Sequence, residues 1–208
     1  MVILGLCGSL RRDSYNHRLL AAAASLPNGL TLEVFEGLRE IPPYDADGSA
    51  PGQMATLLNA IAEADALLIA TSEYDASQPS HLKNALDWVS RPFPHNALQG
   101  KPVAVIGAST GLFGAAWAQA DLRDVLKTIG ARVVDEALAV IQADNAFASD
   151  GRLKDPRLQS ALAKLIDQLT SAVNGRPTPT SAPAVPQASR ARVRPRLGRV
   201  LSPWQLRS

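Results

Sequence analysis

Apolar runs along this chain are each followed by a polar stretch and then by apolar positions at helical spacing. Residues 2–6, 66–70 and 103–106 are nearly unbroken apolar runs, the pattern of strands buried on both faces. Thr31-Leu32-Glu33-Val34-Phe35 alternates and predicts a further strand. A fifth strand begins at 132–134, is interrupted near Asp135-Glu136 and resumes at 138–141. Between these, helices are predicted over 19–24, stopped by Pro27 and Gly29, over 54–64, from Pro79 to Trp88, over 115–129, and over 156–173. The stretch 37–52, rich in Pro, Asp and Gly, reads as loop. This order predicts an α/β fold with a parallel sheet covered on both faces. Right-handed crossovers then favour a doubly wound five-stranded sheet of order 2-1-3-4-5.

In that order strands one, three and four are neighbours, and the polar loops after them, residues 7–16, 71–79 and 107–114, converge on one crevice at the carboxyl edge. The first loop has phosphate chemistry. Gly8 lets a ligand approach the backbone, Ser9, Ser14 and Asn16 offer neutral donors, and Arg11 or Arg12 supplies charge at a helix N-terminus. It lacks the Gly-Lys-Ser/Thr ending of a nucleoside-triphosphate loop. Ser14 or Asn16 also fits a helix cap. Gly107-Ala108-Ser109-Thr110-Gly111 matches a nucleophile elbow, but His17, His81 and His95 all precede Ser109, against the order that such hydrolases use. Gly111 and Gly114, with Asp135 beyond, resemble a dinucleotide loop without its G-x-G start. A reading in which these glycines serve only a tight turn stands beside it.

The 208 residues suit one domain with some excess. One cysteine, Cys7, precludes an internal disulfide, and a small buried side chain is its expected role. No motif with metal-ligand spacing is present, so no metal is expected. No run approaches membrane-span length, and a reducing, cytoplasmic setting is expected. The net charge of +2 conceals an asymmetry: seven arginines and no acid follow residue 172, leaving the first 172 residues at about −5. Residues 1–172 are expected to form the folded domain and 173–208 a disordered, basic tail rich in Pro, Ala and Arg. Only that tail has a charge suited to nucleic acid, and a solvated tail is the favoured reading.

The combination of motifs resembles the NADPH-dependent FMN reductases, a flavodoxin-like family that includes quinone, azo-dye and chromate reductases. The family pattern G-S-x-R-x-x-S-x-N appears as Gly8-Ser9-Leu10-Arg11-Arg12-Asp13-Ser14-Tyr15-Asn16. The pattern P-E-Y-N-x-S-x-P-x-x-L-K-N-A-x-D-W appears from Ser72 to Trp88, and residues 100–123 also look like the family. The resemblance spans roughly residues 1–170. It implies FMN with its phosphate at Ser9, Arg11, Ser14 and Asn16. The isoalloxazine would lie between the turn Ser72, Glu73, Tyr74 and Asp75 and the loop Ser109 to Gly111. It further implies NADPH or NADH as co-substrate and a small-molecule electron acceptor, namely a flavin, quinone, azo compound or metal oxyanion. A ping-pong reaction and a homodimer or homotetramer follow from it, with the helices carrying Trp88 and Trp117 as candidate contacts or as core. No catalytic side chain is required, because the chemistry belongs to the cofactor. A flavodoxin-like electron carrier or flavin-binding module is the alternative. Ser72 stands where the family has proline and Asp75 where it has asparagine. An ionised carboxylate there, close to the ring, opposes negative charge on it and lowers its reduction potential.

Overall fold

The computed structural model describes residues 1–48 and 52–175. The expectation for the basic tail beyond residue 175 lies outside the described residues. Five strands, β1 (Val2–Cys7), β2 (Thr31–Phe35), β3 (Ala66–Thr71), β4 (Pro102–Ala108) and β5 (Arg132–Val140), form one sheet. Its order is β2-β1-β3-β4-β5 and every pairing is parallel. The expected doubly wound topology is therefore the observed one.

Alternation within the strands sorts the core into two halves. Leu4, Leu6, Leu67, Ile69, Val103 and Val105 face one side. There they meet α2 (Gly52–Glu63), α3 (Ser80–Val89) and α4 (Ala116–Ile129). Ile3, Leu68, Ala104, Ile106 and Val140 face the other side, against α1 (Tyr15–Ala24) and α6 (Pro156–Asn174). The central strands β3 and β4 are buried at every position, which is why their sequences carry no polar alternation.

Four local differences from the sequence reading have physical reasons. Helix α1 starts at Tyr15, four residues before its first buried leucine, because Ser14 caps it by accepting from the N–H groups of Asn16 and His17. Gly37–Glu40 forms a single 3-10 turn and Ala143–Ala146 a one-turn helix, α5, both too short to leave a periodic signal. Pro79 sits just outside α3 as its N-cap. The break near Asp135-Glu136 is a bulge inside one continuous strand: Val103 pairs with Val133, but Val105 pairs with Ala137. The Arg123 guanidinium from α4 donates to the carbonyls of Asp135 (2.9 Å) and Glu136 (3.1 Å) there.

Candidate active site

The three loops after β1, β3 and β4 meet at the carboxyl edge, and one buried amide joins them. Asn16, at the start of α1, donates from Nδ2 to the Ala108 carbonyl (3.1 Å) and to Ser72 Oγ (3.2 Å). Its Oδ1 accepts from the Ala108 N–H at 2.9 Å. Asn16 is 3% exposed; the two bonds to Ala108 are buried and the one to Ser72 is partly buried, and together they fix the relative positions of the loops. Gly8 brings the first loop onto the second. Its N–H donates to the Ala70 carbonyl at 2.7 Å, and a Cβ there would lie 3.1 Å from Thr71 Cα.

Within the first loop the candidate residues divide by role. Ser14 is buried as the helix cap, and Asn16 is engaged with Ser72 and Ala108. Both side chains set the shape of the loop. Ser9 is half-buried, and Arg11 and Arg12 are exposed. Neither arginine forms an ion pair among the described residues. The N–H groups of Leu10, Arg12 and Asp13 have no internal partner there either. Unpaired N–H groups, two guanidinium groups and a helix N-terminus form a donor set that fits a phosphate. Cys7 lies below it, with Sγ 3.5 Å from the Ser9 carbonyl. Burial pushes its thiol pKa up, against the opposing pull of the Ser9 and Ser14 hydrogen bonds. It is a small buried side chain, as expected.

The second loop makes a tight reversal. Tyr74 and Ser77 exchange two backbone hydrogen bonds of 3.0 Å each, with Asp75 (φ 50°) and Ala76 (φ 61°) between them. Two consecutive left-handed residues define a type I′ turn. Asparagine and aspartate tolerate the first of these positions. Asp75 is exposed, and Tyr74 stands 57% exposed beside it. Glu73 does not face the crevice alone: its Oε2 accepts from the N–H groups of Trp117 (3.0 Å) and Ala118 (3.1 Å). That places a carboxylate on the positive end of α4.

In the third loop, Ser109 Oγ accepts from the Gly111 N–H at 3.1 Å and has no histidine partner, so the arrangement is a local turn and not a nucleophile elbow. Gly111 is exposed. Gly114 has φ 57°, and a Cβ there would come within 2.8 Å of the Ala139 carbonyl carbon. The glycine is required by the close passage of β5. Phe113 and Trp117 are exposed and in contact, ring centroids 4.5 Å apart. Trp88, by contrast, is buried. It donates to the Pro42 carbonyl and meets Tyr44 edge-on, so of its two expected roles core packing is the one observed.

Sequence reading missed Asp121, on the second turn of α4. Its Oδ2 accepts from Ser77 Oγ at 2.6 Å, from the Gln78 N–H at 3.4 Å and from Gln78 Nε2 at 3.5 Å. The Ser77 hydrogen bond is the main reason its pKa lies below the usual carboxylate value, opposed by burial. A cleft of about 790 Å³ opens beside it, bounded by Leu10, Arg11, Tyr74, Gln78 and Val125. His81, also lining it, has its pKa lowered by burial and by Arg39, partly offset by the Gly8 backbone.

Fold and crevice together define a doubly wound α/β protein of the flavodoxin-like type, with polar loops after the first, third and fourth strands gathered round one crevice. The family model for NADPH-dependent FMN reductases matches residues 1–145, and the chain belongs to that family. It is 40% identical over 172 residues to an NAD(P)H-dependent FMN reductase of Pseudomonas aeruginosa, covering 80% of this chain and 92% of that one. A quinone reductase of Escherichia coli K12 is 33% identical over 176 residues, covering 81% of this chain and 92% of that protein. Among solved structures, the flavoenzyme NAD(P)H:(acceptor) oxidoreductase FerB from Paracoccus denitrificans superposes with a TM-score of 0.74 at 36% identity. The match covers 82% of this chain and 98% of FerB. The chain is thus a flavodoxin-like oxidoreductase that works with FMN and NAD(P)H. No helix among the described residues is long and apolar enough to cross a membrane.

Proposed function

We propose that the chain reduces a small planar acceptor, such as a quinone, with NAD(P)H by a ping-pong reaction at this one crevice, within residues 1–172. The observation that carries the reading is Asn16, which ties the phosphate loop to both walls and so makes a single site of three loops. FMN, when bound, would supply the redox chemistry between NAD(P)H and the acceptor. Ser9, Arg11 and the unpaired loop N–H groups hold its phosphate, while Ser14 and Asn16 keep that loop in shape. Tyr74 and Asp75 form one wall for the ring, supported by Ser72 and Glu73, and Ser109 to Gly111 form the other.

No side chain is assigned as an acid or base, because the redox chemistry belongs to the flavin. Cys7 is buried with a raised pKa, and burial and Arg39 hold His81 toward its neutral form. The protein's part is therefore to bind, orient and exclude water. The exposed pair Phe113 and Trp117 fits a second copy of the chain closing the rim, and light scattering of the Trp117→Glu variant, expected to be monomeric, checks this.

The decisive test is anaerobic addition of NADPH to purified protein carrying FMN. Rapid bleaching of the yellow colour followed by recovery on adding a quinone is expected, with parallel double-reciprocal plots in steady state. Colour that persists under NADPH points instead to an electron carrier, and intersecting plots overturn the ping-pong order.

A further inference from the structure

The turn at Tyr74–Ser77 closes itself. Its two backbone bonds, both 3.0 Å, complete the hairpin without help from any side chain. They leave its tilt free, because a two-residue hairpin can swing as a unit about the residues that enter and leave it. Two carboxylates remove that freedom, one from each side. Glu73, entering the turn, reaches across to the first N–H groups of α4. Asp121 comes back from α4 and takes hold of Ser77 and Gln78, which leave it.

All three Asp121 contacts converge on the single atom Oδ2, and the bond from Ser77, at 2.6 Å, has the length of a hydroxyl bound to an ionised carboxylate. Asp121 forms no ion pair within 4 Å among the described residues, so the turn is its observed partner. Ser77 lies directly after Asp75 and Ala76, the two left-handed residues whose backbone would otherwise relax most readily.

We propose that Asp121 is a positioning residue which, through Ser77, sets the tilt of the turn and thereby the placement of Tyr74 and Asp75 against the flavin. It tunes flavin affinity and reduction potential without touching the flavin. The proposal rests on the reading of this turn as a flavin wall.

The test measures FMN affinity by flavin fluorescence quenching and midpoint potential against an equilibrating dye, in the full-length protein. Asp121→Ala is expected to raise the dissociation constant for FMN about tenfold, or about 1.4 kcal/mol, and to shift the potential. Ser77→Ala, which removes only one of the three hydrogen bonds to Asp121, is expected to shift both readouts in the same direction by a smaller amount, and the double variant no more than Asp121→Ala alone, because the Ser77 contact is already lost there. Asp121→Asn, which keeps an acceptor oxygen, recovers part of the affinity. Glu136→Ala, which removes a carboxylate bound to Lys164 away from the crevice, leaves both readouts unchanged. If Asp121→Ala does not fold, Ser77→Ala and Asp121→Asn carry the test. Unchanged affinity and potential in the single variants, or losses that simply add, overturn the positioning role. Failure of the unsubstituted protein to bind FMN would overturn the flavin reading itself, and is seen before any variant is made.

Discussion

Replacing Asn16 by alanine tests whether one side chain assembles the site. The substitution deletes three hydrogen bonds and leaves the N–H and C=O of Ala108 unpaired at a buried position. Each unpaired buried group costs about 1–3 kcal/mol. Alanine in a helix returns at most about 0.7 kcal/mol over asparagine. The balance centres on about 3 kcal/mol, which for a domain of this size lowers Tm by roughly 6–12 °C. The Ser72 hydroxyl, less buried, loses a partner that water replaces. Thermal unfolding followed by circular dichroism, with FMN titration of the same samples, reads both consequences, and flavin affinity should fall because the loops are no longer registered. Asn16→Asp adds a sharper signature. The carboxylate keeps the acceptor for the Ala108 N–H but sets a second acceptor against the Ala108 carbonyl. Its folded pKa is therefore raised above the unfolded value, and the protonated form is favoured on folding. The stability deficit of this variant relative to the parent should shrink as pH falls through that folded pKa. A Tm for Asn16→Ala within about 2 °C of the parent, with FMN affinity intact, would refute the reasoning.

Other outcomes follow from single positions. Gly114→Ala forces a Cβ against the backbone of Ala139 and Val140 at positive φ, and should cost more than about 2 kcal/mol and weaken FMN binding, checked by chemical denaturation. Ala76→Gly relieves a left-handed alanine at φ 61° and should stabilise by about 1 kcal/mol, seen as a higher Tm. Asp75→Asn removes the carboxylate at the turn and should raise the flavin potential and tighten FMN; a potential unmoved in dye equilibration counts against a charge effect. The Asp121 carboxyl is held below its ordinary pKa chiefly by Ser77. Its contribution to stability is thus present above the ordinary carboxylate value and lost as pH falls through the lower, folded one. Asp121→Asn should flatten acid unfolding in that window.

What could be read from the sequence was whatever a strand or helix writes into its own residues. The buried runs of β3 and β4 and the polar loops after them are local facts, and strand order followed from handedness. Even the irregularity at Asp135-Glu136 was visible, because two charges cannot continue a buried run. Partners far apart in the chain were not visible. That Asn16 faces Ala108, 92 residues on, and that Glu73 reaches the first turn of α4, are set by tertiary neighbours. Asp121 looked like any solvated helix position, since nothing near it in sequence announces Ser77. The turn motif disclosed its residues but not that Ala76, with no glycine's freedom, would take a left-handed conformation.

The bulge in β5 has a consequence for how this protein meets others. A strand at the border of a sheet exposes backbone groups on which a further strand can grow, the usual route to edge-to-edge aggregation. Here the carbonyls of Asp135 and Glu136 are already occupied by Arg123, and the extra residues bend the strand out of a flat template. Sheet extension along this border is disfavoured at its middle. Association on this side is thereby steered toward side chains on helices and loops, where charge and shape can select the partner.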